Sequence, residues 1–321
     1  MPILAVALNP TIDVWSQAER VRPTVKTRTH SERQRPGGGG VNVARVIAEL
    51  GGEPELLVLE GGATGAMLRE ALATSAIRTH AVQIAGLTRI SFMVREEETG
   101  LEYRFVPEGP EVAPGDIAKA LAIVESFRGD FVVASGSLPR NAPEDIYAEI
   151  GRIAAKTGAR FILDCPGATL RSTLGRAPVF LVKPSIEELE TLAGRRLDEN
   201  GVAQAASALV KETAAEFVAV TMGREGALLA GAFGVLRVPS KHVVAKSTVG
   251  AGDSFIGALT WLLAEGRPID EAFQFGVAAG AAAVIASGTE LCRREDVFEI
   301  YKGTEPPPRV PSTSIESSVH E

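Results

Sequence analysis

Val41-Asn42-Val43-Ala44-Arg45-Val46-Ile47-Ala48-Glu49-Leu50, followed four residues later by Glu55-Leu56-Leu57-Val58-Leu59, is the stretch on which the reading of the fold turns. Its first half is long, Ala- and Val-rich, and carries the apolar spacing of a helix. Its second half is short and apolar on both faces, as a strand must be when its sheet is covered on both sides. The same alternation extends outward in both directions. Runs 3–8, 131–134, 160–163, 180–182 and 217–221 read as compact buried strands, and 145–156 and 204–211 as helices. This order predicts a three-layer α/β/α fold around a mostly parallel sheet.

Two regions break the rhythm. Residues 90–106 alternate with period two about Glu98-Thr99-Gly100, placing Ile90, Phe92, Val94, Leu101, Tyr103 and Phe105 on one face of a β-hairpin. Residues 13–35 are polar, rich in Arg and Thr, and lack helical periodicity. We expect segments of about 13–35 and 88–108 to form a small β-sheet lid on one large domain, 1–302, followed by a flexible tail at 303–321. The tail contains Pro306-Pro307-Pro308 and a Ser/Thr-rich end.

Bulk properties exclude several classes of function. At 321 residues and 45% apolar content the chain can bury a large core. A net charge of -7 leaves no excess of Lys and Arg to neutralise a nucleic-acid backbone. No apolar run reaches the ~20 residues of a membrane span, and the opening Met1-Pro2-Ile3-Leu4-Ala5 reads as a first strand rather than a signal peptide. Cys165 and Cys292 read as free thiols, and the scattered histidines argue against zinc. These features together predict a cytoplasmic protein.

The helix at 41–50 is preceded at once by Pro36-Gly37-Gly38-Gly39-Gly40. Consecutive glycines are costly in chain entropy and mark backbone that passes very close to something. Bare amides beside Asn42, which both donates and accepts, suit the hydroxyls of a polyol. A second signal is Thr248-Val249-Gly250-Ala251-Gly252-Asp253, which runs into the apolar stripe Phe255, Ile256, Leu259, Leu262, Leu263. Free N–H groups and the helix dipole at such a start make an anion site. Asp253 in the first turn is placed to take a proton from a hydroxyl while those amides stabilise a transferring phosphoryl group. Taken alone, Asp253 reads first as a helix cap.

Asp13, directly after the first strand, sits where open parallel sheets put ligand contacts, although a lone Asp there is also an ordinary turn residue. Arg89 and Arg104 stand at the two ends of the hairpin, with Arg104 on the face away from Tyr103 and Phe105. They offer a forked clamp for phosphate or, equally, a solvated strand face. There is no P-loop, and Phe255 replaces the third glycine of a dinucleotide fingerprint, which disfavours an oxidoreductase.

Gly37–Ala44 and Gly250–Asp253 together resemble the two hallmarks of the ribokinase (PfkB) family of carbohydrate kinases. Supporting segments are Asn9-Pro10-Thr11-Ile12-Asp13, Gly61-Gly62-Ala63-Thr64-Gly65, Tyr103-Arg104-Phe105, Ser135-Gly136-Ser137-Leu138-Pro139 and Leu181-Val182-Lys183-Pro184. The similarity spans about 3–300 and is greatest to the phosphosugar branch that includes the minor bacterial 6-phosphofructokinases. It implies Asp253 as base, with Gly250, Ala251 and Gly252 as anion hole. Asp13, Gly38, Gly39 and Asn42 would hold the sugar, and Lys26, Arg89, Arg104 and Ser137 its phosphate. Lys183, Ser185, Thr221, Gly223, Gly226, Ser247, Thr248 and Val249 would line ATP. Glu188 would hold Mg²⁺ through water, and Ser247, Val249, Ala283, Ala286 and Gly288 would surround a monovalent cation, K⁺.

The family's N-x-x-E motif appears here as Ser185-Ile186-Glu187-Glu188, which has a shorter reach at its first position. Gly39 stands where the 1-phosphofructokinase and tagatose-6-phosphate kinase branches carry Lys, which favours fructose 6-phosphate as acceptor and fructose 1,6-bisphosphate as product. Those two sister activities remain the alternatives, followed by a non-catalytic sugar-binding regulator. The resemblance also implies a homodimer through the lid sheets, which would hide the apolar hairpin face.

Overall fold

A computed structural model describes residues 1–213, 215–241, 243–286 and 288–302, together with the backbone of 309–310. The chain opens with β1 (Ile3–Ala7), leaves it for β2 (Thr11–Ala18) and β3 (His30–Gly37), and returns through α1 (Gly39–Glu49) to β4 (Glu55–Glu60). Next come α2 (Gly62–Ala73), β5 (Arg78–Gln83), and the pair β6 (Arg89–Glu96) and β7 (Glu102–Phe105). Alternating elements follow: α3 (Pro114–Ser126), β8 (Phe131–Ser135), α4 (Ile146–Thr157), β9 (Arg160–Asp164), α5 (Gly167–Thr173), β10 (Val179–Val182) and α6 (Ile186–Ala193). The last part is α7 (Glu199–Glu212), β11 (Ala215–Thr221), β12 (Ala227–Gly231), β13 (Gly234–Val238), α8 (Ala251–Ala264), α9 (Ile269–Ile285) and α10 (Arg294–Lys302).

The large sheet runs β5-β4-β1-β8-β9-β10-β11, all parallel, and is extended by the antiparallel pair β12 and β13. One face packs Leu4, Val6, Leu57, Val132 and Leu163 against the side of α3 and α4, where Tyr147 and Ile150 are fully buried. The other packs Ala5, Val58, Phe131 and Val133 against α1, α8 and α9, through Val43, Ile47, Phe255, Leu259 and Phe273. This is the expected three-layer arrangement. The antiparallel β12–β13 hairpin was not among the expected strands. Helix α7 begins five residues before the expected 204 because Asp198 caps it, its carboxylate accepting Gly201 N–H at 2.7 Å.

Helix α1 shows why the glycine run is tolerated. Glycine in a helix costs about 0.5–1 kcal/mol relative to alanine, whereas burying Val41, Val43, Val46 and Ile47 stabilises by roughly 1.5–3 kcal/mol each. Burial wins, and it demands close approach: a Cβ at Gly40 would overlap the Val6 carbonyl of β1.

A second sheet of four strands, ordered β3-β2-β6-β7, stands beside the first. Its β6–β7 hairpin pairs Phe92 with Phe105 and Val94 with Tyr103 on one face, and Met93 with Arg104 on the other, as the alternation predicted. Strand β2 brings Asp13 beside Ser91 and Trp15 beside Met93 on that second face. Loops of the large domain close against it: the Trp15 indole lies on Gly288, where a Cβ would sit 2.9 Å from the ring, and Ser247 Oγ donates to Glu102 at 3.1 Å. Apart from a backbone pairing of Arg309 and Val310 with β13, the expected tail at 303–321 lies outside the described residues.

Candidate active site

Helix α8 starts from Gly250, held at φ 73° in the left-handed region that glycine adopts without penalty. Ser254 N–H is the first to bond back, to the Gly250 carbonyl at 2.8 Å. The amides of Ala251, Gly252 and Asp253 therefore point out of the helix without an intrahelical acceptor, as an anion hole requires. Asp253 keeps some exposure, but its carboxyl is closely surrounded. Burial, reinforced by Asp164, pushes its pKa up to about 6, while an Asn42 hydrogen bond and Lys183 pull the other way. A carboxylate poised there is a competent base near neutral pH.

Lys183, at the end of β10, is buried and places its ammonium 3.0 Å from Asp164 Oδ1 at the end of β9. Burial alone would lower its pKa; Asp164, with help from Glu188 and Asp253, outweighs this and raises it. A Cβ on Gly252 would sit 3.3 Å from Lys183 Nζ, so this fixed positive charge borders the amides of α8.

The glycine run meets the protein more than open space. A Cβ at Gly37 would overlap the Asp13 carboxylate, and one at Gly39 would overlap Ser135 Oγ and lie 2.7 Å from Gly136 N. Only Gly38, at φ 95°, needs glycine for its backbone conformation. The Asn42 amide is likewise engaged: Nδ2 donates to Asp253 Oδ2 at 2.8 Å, and Oδ1 accepts from Arg45 Nη1 at 3.3 Å. Each group keeps further capacity, the second N–H of Nδ2 and the second lone pair of Oδ1, which is what a polyol hydroxyl needs. Asp13 is buried, with Oδ1 lacking a hydrogen-bond partner among the described residues. Its pKa is raised by burial against the pull of Ser91, Arg104, Arg45 and Arg89. A buried, unsatisfied carboxylate oxygen is an acceptor that a hydroxyl donor would satisfy.

Arg89 donates to the Pro107 and Asn9 carbonyls at 2.9 and 2.8 Å and approaches Ser137 Oγ at 3.4 Å, leaving its Nε without a partner. Asn9 Nδ2 also reaches Ser137 Oγ, at 3.2 Å. Arg89 and Ser137 are thus adjacent, and Arg104 lies on the same sheet face as Asp13. Lys26 is exposed on the loop between β2 and β3, and no hydrogen bond or ion pair joins it to these groups among the described residues.

On the opposite side of Asp253, Ser185 caps α6 in a reciprocal pair: Glu188 N–H donates to Ser185 Oγ at 3.2 Å, and Ser185 N–H to Glu188 Oε2 at 2.8 Å. The serine at the first position of the motif therefore has a local structural reason. Glu188 Oε1 carries no hydrogen bond among the described residues, and burial raises the pKa of its carboxyl. Thr221 ends β11 and bridges to Ser185. Gly223 and Gly226, both at positive φ, shape the turn that follows, and a Cβ at Gly226 would strike the Val238 carbonyl. Ser247 and Lys246 N–H groups both reach the Val284 carbonyl, tying the loop of Ser247, Thr248 and Val249 to the end of α9, near Ala283, Ala286 and Gly288.

Three participants were not foreseen. Asp164 carries no motif and emerges only because β9 and β10 are neighbours. Arg45 follows the glycine motif but faces inward from α1. Glu102 reaches Ser247 only through the closed packing of the two sheets.

Comparison with known proteins agrees with this geometry. The model of the pfkB family of carbohydrate kinases matches residues 4–296. The ATP-dependent 6-phosphofructokinase isozyme 2 of Mycobacterium tuberculosis is 37% identical, over 94% of this chain and 89% of its own. The crystal structure of phosphofructokinase-2 from Escherichia coli with substrates and products superposes with a TM-score of 0.90 at 36% identity, covering 94% of this chain and 99% of that one. A 1-phosphofructokinase of Bacillus subtilis is 31% identical, over 90% of this chain and 95% of its own. With a family match across nearly the whole chain and both hallmark motifs converging on Asp253, the chain belongs to the pfkB family of carbohydrate kinases.

Proposed function

We propose that the chain is an ATP-dependent 6-phosphofructokinase that phosphorylates the 1-hydroxyl of fructose 6-phosphate. The observation that carries this reading is the Asp253 carboxylate at the unbonded N-terminus of α8, close enough to Asp13 to feel its charge, with Asp13 in turn coupled to Arg89 beside Ser137. Asp13 accepts sugar hydroxyls. The Arg89 Nε, with Ser137 and Arg104, clamps the phosphate already on the sugar. Asp253 takes the proton of the attacking hydroxyl, and the amides of Ala251, Gly252 and Asp253, with Lys183, stabilise the charge on the phosphoryl group in flight. Gly250 gives that helix start its backbone shape.

Lys183, Ser185, Thr221, Gly223 and Gly226 line the remaining phosphates of ATP. A single carboxylate such as Glu188, with ATP phosphates and water, is a sufficient donor set for Mg²⁺, which supplies neutralisation of phosphate charge when bound. Ser247, Val249, Ala283, Ala286 and Gly288 form the loops for K⁺. No helix among the described residues is long and apolar enough to cross a membrane, and we place the enzyme in the cytoplasm.

Gly39 supports the acceptor assignment, because any side chain there would collide with Ser135 and Gly136. An ADP-release assay over fructose 6-phosphate, fructose 1-phosphate, tagatose 6-phosphate, fructose and ribose tests it. The highest kcat/KM is expected on fructose 6-phosphate, and a preference for fructose 1-phosphate or for an unphosphorylated sugar refutes the assignment.

The outer face of the small sheet exposes Phe92 at 48%, Leu101 at 57% and Phe105 at 62%, an apolar surface that a second copy would cover. A homodimer through this face is expected in sedimentation, and Phe92→Ser with Phe105→Ser to shift it to monomer. A wild-type monomer at working concentration overturns the dimer.

A further inference from the structure

Arg45 lies in the second turn of α1, and its guanidinium turns toward the site rather than toward solvent. Its Nη1 donates to the Pro36 carbonyl at 2.8 Å and to Asn42 Oδ1 at 3.3 Å, while Asn42 Nδ2 donates to Asp253 Oδ2 at 2.8 Å. A guanidinium can only donate. It therefore accepts only the oxygen end of the Asn42 amide, and this forces the NH₂ end toward Asp253. If the amide turned over, it would present its oxygen to the carboxylate, a repulsion relieved only by protonating Asp253. We propose that Arg45 is a positioning residue for the base, fixing the Asn42 amide so that Asp253 is held in place as a carboxylate. The inference rests on the kinase reading for its consequence, but not for its geometry.

The charge on Arg45 is set by its surroundings. Burial, then Arg35, lower its pKa to about 10, opposed by Asp13, Asp253 and Glu49, so it remains cationic at neutral pH. Asp253 is faced by Asn42 and Arg45 from α1, Asp164 from β9, Lys183 after β10 and Asp13 from β2. The two carboxylates, Asp164 and Asp13, favour its protonated form. Lys183 and the Arg45–Asn42 pair oppose them, so removing Arg45 tips the balance toward the acid.

The test is kcat against pH from 5 to 9 for wild type, Arg45→Met and Arg45→Lys, with KM for the sugar phosphate. Arg45→Met is expected to move the acid limb up by about one pH unit, the lower end of the effect of a neighbouring charge on a carboxyl, with a roughly tenfold extra loss below the limb. Arg45→Lys restores most of it. A uniform fall in kcat with the limb unmoved overturns the proposal and leaves Arg45 a packing residue. If Arg45→Met does not fold, Asn42→Leu carries the test: the limb must rise in that variant, and an unmoved limb refutes the relay. The ¹³C titration of the Asp253 carboxyl reads the same shift without turnover, so inactivity of the wild type would sink the kinase reading alone.

Discussion

Asp253→Asn is expected to lower kcat by about 10²–10⁴, the span typical of losing a general base, while KM for the sugar phosphate changes by no more than a few-fold. The asparagine is nearly isosteric, and its carbonyl still accepts from Asn42 Nδ2, so the start of α8 and its free amides persist. What disappears is the acceptor for the hydroxyl proton. A near-normal kcat would remove Asp253 from the chemistry and return it to the role of a helix cap. A large rise in KM with kcat kept would make it a binding group instead.

The raised pKa of Asp253 gives this variant a second, opposite signature. The wild-type base titrates at about 6, so kcat should rise with pH through that value and level off above it. For stability the sign runs the other way. Between the ordinary value of 3.8 and about 6 the folded chain binds a proton that the unfolded chain does not. Stability falls as pH rises through that window, and the penalty is complete above it. Asp253→Asn has no charge to desolvate, so it should be more stable than wild type by roughly 1–3 kcal/mol at pH 8, with the gain vanishing near pH 4. Thermal melts at the two pH values check this, and an equal Tm at pH 8 would show that the carboxyl is better solvated than its surroundings suggest.

The parts of the site that the sequence disclosed are those written locally. The Gly250–Asp253 motif is a helix start, and the helix start is the anion hole. The parallel strands were visible because burial on both faces leaves them almost no polar positions, as in Val132 and Val133 or Leu56 to Leu59. The β12–β13 hairpin gave a weaker signal, since Ala227 to Val238 is a short apolar run broken by two Gly residues. The glycine run was conspicuous but its cause was not: the group that excludes a side chain at Gly37 is Asp13, and at Gly39 it is Ser135, nearly 100 residues away in sequence. Asn42 shows the same limit: the glycine loop points it at a ligand, and only the fold adds the contact of its amide to Asp253. Ser185 reads in sequence only as a shorter-reaching replacement; the fold adds that its hydroxyl closes the cap of α6.

Lys183→Met should produce the largest loss of stability of any single change at the site, about 3–5 kcal/mol, because it strands Asp164 without the cation it was buried with. The side chains have similar volume, so packing accounts for little of this. Adding Asp164→Asn should recover much of the loss: the amide carries no charge and can retain the contact to Ser135 Oγ, at 3.3 Å from Oδ2 in the wild type. Denaturant melts of the two single variants and the double variant yield the coupling directly, and simple additivity would mean that the pair is weak. Activity separates the two roles of the lysine. If Lys183 serves only to neutralise Asp164, the double variant regains kcat along with stability. If its ammonium also stabilises the phosphoryl group beside Gly252, as its position predicts, the refolded double variant stays at least 10²-fold below wild type. A double variant that recovers full turnover would take Lys183 out of the transfer step and leave the helix amides to hold the phosphoryl charge alone.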